Sequence, residues 1–86
     1  MPEYTVTFAR SARKELEALD PPIAARVLVS IEGFADNPRP AGARKLQGAQ
    51  PLWRIRVGEY RVIYSVDDRL EVVDVVRIRH RRDVYR

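Results

Sequence analysis

The 86-residue chain has no cysteine and only one histidine, one methionine and one tryptophan. Without cysteine there can be no disulfide, no thiolate nucleophile, no cysteine-ligated zinc and no iron–sulfur cluster. With His80 as the sole histidine, two histidines cannot share acid–base work, and a histidine metal cluster has no members. Asp67, Asp68, Asp74 and Asp83 are spread over strand and turn positions that do not converge on one divalent ion, so no metal and no cofactor is expected. No apolar run nears the roughly 20 residues that span a bilayer. Residues 1–5 have neither the basic nor the apolar segment of a secretory signal. The expectation is a cytoplasmic protein that does not associate with a membrane. The sequence also lacks a glycine-rich phosphate loop, an internal repeat, a heptad seam and a recognisable Ser–His–acid grouping.

What the chain does have is arginine. Of sixteen basic side chains two are lysine, Lys14 and Lys45, and the other fourteen are arginine. Their placement is lopsided: residues 1–43 carry five basic and six acidic side chains, whereas residues 44–86 carry eleven and six, so the net charge of +4 is the sum of −1 and +5. A cationic half raises the local concentration and association rate of acidic or polyanionic partners. The planar guanidinium fork also suits bidentate phosphate contacts. A coding bias toward arginine gives the same excess, so composition leaves nucleic acid and an acidic protein partner both open.

A chain of this length has room for one small core, and residues 1–86 read as a single domain. Tyr4, Val6 and Phe8 alternate with Thr5 and Thr7, the period of a half-buried strand. Ala12, Leu16 and Leu19 then recur at helical spacing until Asp20-Pro21-Pro22 stops the run. A second helix from about Pro22 carries the stripe Ile23, Val27, Ile31 and Phe34, with Leu28 at its edge, and ends at Asp36-Asn37-Pro38. Residues 37–51 read as a connection punctuated by proline and glycine. Three strands follow at about Leu52–Val57, Tyr60–Val66 and Leu70–Ile78, with Gly58-Glu59 and Asp67-Asp68 as two-residue links that enforce an antiparallel meander. The expected fold is α+β, in the order β-α-α-β-β-β. Two N-terminal helices pack on a small, mainly antiparallel four-stranded sheet, with a short C-terminal tail. The first strand must rejoin that sheet; whether it pairs in parallel with the last strand is left open by the sequence.

Several residues could bear chemistry. Trp53, Ile55 and Val57 alternate with Arg54 and Arg56, which places the two arginines side by side on the open face of the sheet. Arg61 starts the next strand, and Arg77 and Arg79 share a face of the last one. One reading is a solvated face with salt bridges to Glu59, Glu71 and Asp74; the other is a cationic surface matched to a phosphate backbone. Lys45 adds a cation on the preceding connection. In the tail, His80 is a candidate acid or base, and Tyr85 is either a packing residue or a ring on which a base stacks. Metal-free RNA cleavage is the chemistry such a surface could support, with guanidinium groups stabilising a charged phosphorane. Arginine holds its proton below a pKa of about 12, so it is poorly suited to act as the base.

Beyond these residues, the chain resembles the RelE/ParE superfamily of bacterial toxins, and within it the RelE-type messenger-RNA interferases. The resemblance runs along essentially the whole sequence. It rests on Lys45-Leu46 with Gly48, on Leu52-Trp53-Arg54-Ile55-Arg56-Val57, on Gly58-Glu59-Tyr60-Arg61-Val62-Ile63-Tyr64, and above all on His80-Arg81-Arg82-Asp83-Val84-Tyr85-Arg86. It implies a ribosome-dependent endoribonuclease that cuts message in the decoding site. It also implies a cognate antitoxin that holds the enzyme inactive, and a toxin–antitoxin complex that binds operator DNA through the antitoxin. By the same resemblance, Arg61 would stabilise the scissile phosphate, Arg81 would assist transition-state charge and departure of the leaving group, and Tyr85 would stack on or orient a nucleotide. Lys45, Arg54, Arg56, Arg77 and Arg79 would hold RNA. Arg54 and Arg56 stand where some relatives use lysines implicated in base chemistry, a departure that leaves the general base unassigned. Two other outcomes compete: a ParE-like inhibitor of DNA gyrase without nuclease activity, and a catalytically weak toxin kept as an antitoxin-binding module.

Overall fold

A computed structural model describes the backbone of residues 3–84 and the side chains of residues 3–82. Strand β1 (Thr5–Phe8) leads into helix α1 (Arg10–Glu17) and then helix α2 (Pro21–Glu32), which a single 3-10 turn extends to Ala35. Strands β2 (Arg44–Lys45), β3 (Leu52–Val57), β4 (Tyr60–Asp67) and β5 (Val72–His80) follow, and α3 (Arg81–Val84) is one short turn. Helix α2 begins with its two prolines in the first turn, where the missing N–H groups have no helical partner to lose.

The described residues form a mixed five-stranded sheet ordered β1-β5-β4-β3-β2. The pairing of the first strand, left open by the sequence, is parallel: β1 lies beside β5, from Thr5 opposite Val72 to Phe8 opposite Val75. The fifth strand is a correction to the four anticipated. Arg44 and Lys45 pair antiparallel with Arg54 and Trp53, a two-residue bridge too short to leave an alternating signature in the connection. The link between β4 and β5 also differs from the two residues expected. Asp67 belongs to β4 and lies opposite Val72. The turn therefore spans residues 68–71, held by the Leu70 N–H donating to Asp67 Oδ1 at 2.9 Å and by Glu71 at a left-handed φ of 57°. The Gly58-Glu59 hairpin is as short as expected, with Gly58 supplying the left-handed φ of 58° that such a tight link requires.

A register shift between β4 and β5 sets the faces of the sheet. Ile63 lies opposite Arg77 but Tyr64 lies opposite Val75, so Val76 is an extra residue, a β-bulge. Strict alternation from the buried Val73 and Val75 would carry Arg77 and Arg79 into the core. The bulge inverts the phase, so Ile78 is buried instead and the two arginines face outward. Val27, Ile31 and Phe34 of the helical layer meet Val62, Tyr64, Val73, Val75 and Ile78 of the sheet in one core, to which Ala12 also belongs. Leu28, expected at the edge of the helical stripe, is exposed.

Helix α1 follows the part of β5 that β1 is too short to accompany. Ser11 Oγ donates to the Val76 carbonyl at 3.2 Å, and Glu15 Oε1 accepts the Ile78 N–H at 2.8 Å. Two polar side chains at helical spacing thus satisfy a strand edge that would otherwise face water. At the other end of the sheet, Arg39 clamps Asp68 with two hydrogen bonds, 3.1 and 2.7 Å, and lies 5.1 Å from the centroid of Trp53. Tyr4 also donates to Asp68, at 2.7 Å. These contacts fasten the connection after α2 to the β4–β5 turn.

Candidate functional site

The register of the sheet lines up its arginines. Arg56 lies opposite Arg61, and Arg61 lies opposite Arg79, so these three guanidinium groups form a row across β3, β4 and β5. One step along, Arg44, Arg54, Ile63 and Arg77 form a second row on the same face. Directly opposed residues share a face, so the sequence-based placement of Arg54 and Arg56 on the open side holds. Lys45 is different: it lies opposite Trp53 and therefore points to the other side of the sheet from Arg54. Arg44 takes its place among the outward cations, a residue that sequence reasoning passed over because nothing in the connection revealed which of the two basic neighbours would face out.

Both rows are modified by helix α1. Glu15 Oε2 lies 3.4 Å from Arg77 Nη1 and 3.1 Å from Arg79 Nε. The carboxylate that caps β5 also engages two of the arginines expected to bind phosphate. Two of the three carboxylates anticipated as their partners are otherwise occupied: Asp74 accepts from Thr7 Oγ1 at 2.7 Å, and Glu59 pairs with Arg81.

At the end of the first row, Arg56, Arg61 and Arg81 converge with Gly58 and Glu59 around a polar cavity of about 210 Å³. The short β3–β4 hairpin brings Arg56 and Arg61 together, and the chain leaving β5 delivers Arg81. The Arg81 N–H donates to the Glu59 carbonyl at 2.8 Å, and Arg81 Nη1 lies 3.4 Å from Glu59 Oε2. Arg61 is buried, with 6% of its surface exposed, whereas Arg81 keeps most of its side chain in solvent. A guanidinium shielded from water interacts more strongly with an anion that reaches it. Glu59 emerges here as a wall of the site, where the sequence suggested a hairpin residue and a counter-ion.

His80 is nearby but outside that cavity. It lines an adjoining space of about 780 Å³ with Glu59, Arg81 and Arg82. Its ring stands edge-on to Tyr60 with centroids 5.1 Å apart, and Nδ1 accepts the Arg82 N–H at 3.2 Å. Tyr85, the remaining sequence-derived candidate, lies outside the described residues. Among the described residues, no three of His, Asp and Glu gather closely enough to hold a metal ion. None of their helices is long and apolar enough to cross a membrane.

A cavity walled by three arginines suits a phosphate group, and known proteins share the scaffold that builds it. The family described as the ParE toxin of the type II toxin–antitoxin system, parDE, matches residues 6–85. Toxin RelG of Mycobacterium tuberculosis is 34% identical over 84 residues, covering 96% of this chain and 97% of that protein. Among solved structures, the archaeal RelE–RelB complex from Pyrococcus horikoshii aligns with a TM-score of 0.82 at 30% identity, over 92% of this chain and 96% of that one. The toxin–antitoxin complex RelBE2 of M. tuberculosis aligns with a TM-score of 0.80 at 31% identity, over 91% and 98%. The motifs of the C-terminal half, the β-α-α-β-β-β-β scaffold and these matches agree: the chain belongs to the RelE/ParE superfamily and is a toxin of the type II toxin–antitoxin class.

Proposed function

We propose that the chain is a metal-independent endoribonuclease that cleaves messenger RNA on the ribosome. The observation that carries this reading is the convergence of Arg56, Arg61 and Arg81 on one polar cavity. Attack of a ribose 2′-oxygen on its adjacent phosphate builds extra negative charge on the phosphoryl oxygens. Donors already in place lower that barrier without reorganising during the reaction. Arg61, buried and fixed by strand pairing, holds the scissile phosphate. Arg81 follows the charge onto the departing 5′-oxygen. Arg44, Arg54 and Arg56 guide the flanking backbone, and Arg77 and Arg79 join them when RNA displaces Glu15. Tyr85 stacks on a neighbouring base. The likeness to RelE-type interferases supplies the substrate, a message held in the decoding site of a cytoplasmic ribosome.

The partner that silences this activity is a cognate antitoxin, by analogy with the RelE–RelB and RelBE2 complexes; operator binding then belongs to the complex, through the antitoxin. Coexpression with the product of the neighbouring gene tests the pairing, since failure to copurify would contradict it.

A second reading is favoured by the ParE description of the matching family: inhibition of DNA gyrase without RNA cleavage. One pair of assays separates the two. Purified chain added to programmed ribosomes is expected to cut message, and Arg81→Ala to slow cutting about 10²- to 10³-fold. Loss of gyrase supercoiling with message left intact would transfer the chain to the other class.

A further inference from the structure

We infer that Glu59 is the general base of this cleavage, an assignment that rests on the ribonuclease reading and fills the role the arginines cannot. Three of the side chains around the cavity are guanidinium groups, which keep their protons below a pKa of about 12. Gly58 contributes none. Among the described residues, Glu59 is the wall residue that can accept a proton there. His80 is the neighbouring competitor, but its Nδ1 already accepts the Arg82 N–H. A neutral imidazole in that arrangement has its proton on Nε2 and no second lone pair to offer. Glu59 is also held in place: its carbonyl takes the Arg81 N–H, and its carboxylate meets Arg81 Nη1. The group that removes the proton and the group that receives the negative charge are therefore tied together at the hairpin tip.

In the step, the Glu59 carboxylate takes the 2′-hydroxyl proton as the 2′-oxygen bonds to phosphorus. The bond from phosphorus to the 5′-oxygen breaks, and its electron pair leaves with that oxygen, beside Arg81. The 5′-oxygen takes a proton from solvent water, and the resulting hydroxide recovers the proton held by Glu59. The products are a 2′,3′-cyclic phosphate and a 5′-hydroxyl.

Glutamine at position 59 keeps an oxygen for Arg81 but cannot take a proton, whereas alanine removes both functions. Single-turnover cleavage of a ribosome-bound message, with toxin in excess, is therefore measured for wild type, Glu59→Gln, Glu59→Ala and Glu59→Asp, each first shown to melt like wild type. The expected result is a loss of about 10²- to 10⁴-fold for both Glu59→Gln and Glu59→Ala, with Glu59→Asp retaining more activity than either. Wild-type rates for Glu59→Gln beside a slowed Arg81→Ala would overturn the base assignment alone and leave the ribonuclease intact. Wild-type protein that leaves the message uncut would overturn both.

Discussion

Tyr64 lies against Phe34, ring centroids 4.2 Å apart, with its hydroxyl buried and without a hydrogen-bond partner among the described residues. Burial pushes its pKa up to about 12 from an ordinary value of 10. The sign of the linkage follows. Above pH 10 the unfolded chain releases this proton while the folded one retains it, so stability falls as pH rises from about 10 to about 12. Tyr64→Phe removes both the unsatisfied hydroxyl and that slope. It is expected to raise stability at pH 7 by about 1 kcal/mol, or a melting temperature about 4–8 °C higher, and to widen its advantage at pH 11. Thermal melts at the two pH values check this, and a lower melting temperature at pH 7 would mean the hydroxyl has a partner worth keeping. Asp68 titrates in the opposite sense. Hydrogen bonds from Arg39 and Tyr4 hold its carboxyl below the ordinary carboxylate range. Its contribution is present above the unfolded pKa and is lost as pH falls through the lower folded value. Asp68→Asn is therefore expected to melt earlier than wild type at pH 7 and to converge with it in acid; a difference that persists unchanged into acid would contradict the assignment.

At the scale of elements, the junction of α1 with β5 carries more than packing. Glu15 accepts the Ile78 N–H and engages Arg77 and Arg79 at once. Glu15→Ala removes the hydrogen bond to the half-buried Ile78 N–H, for a cost of about 1 kcal/mol in stability. It also releases two cations, so nonspecific binding of single-stranded RNA is expected to tighten, with a salt slope steeper by up to about 1.4. Salt titrations of RNA binding by the two proteins measure that change, and an unchanged slope would show that neither arginine reaches RNA. These consequences were not legible in the sequence, because which helix residue meets which strand edge depends on packing between segments over 60 residues apart. Other elements were legible. Alternation located β1 and β3, and the short Gly58-Glu59 link located the start of β4, whereas the bulge at Val76 that keeps Arg77 and Arg79 outside was not legible. Strand β2 left no trace, since two residues have no period. The β4–β5 turn differs from the expected two-residue link because Glu71 adopts a left-handed φ that a glutamate side chain does not favour and therefore does not signal.

For the molecule as a whole, the charge asymmetry of the sequence resolves into a two-row cationic face that ends in a cavity. The sequence identified Arg54, Arg56, Arg61 and Arg81 as members of this surface, but neither the wrong-side placement of Lys45 nor the presence of Glu59 in the cavity wall could be read from spacing. Sheet register and the hairpin tip decide both. The central claim is that this cavity cleaves RNA, and the most direct measurement maps message ends in a translation reaction containing purified wild type, Arg61→Ala or Arg81→Ala. New ends within ribosome-protected codons are expected with wild type, depleted about 10²-fold or more with either variant. An intact message with active, folded wild type, or the same ends at the same rate with both variants, would contradict the account.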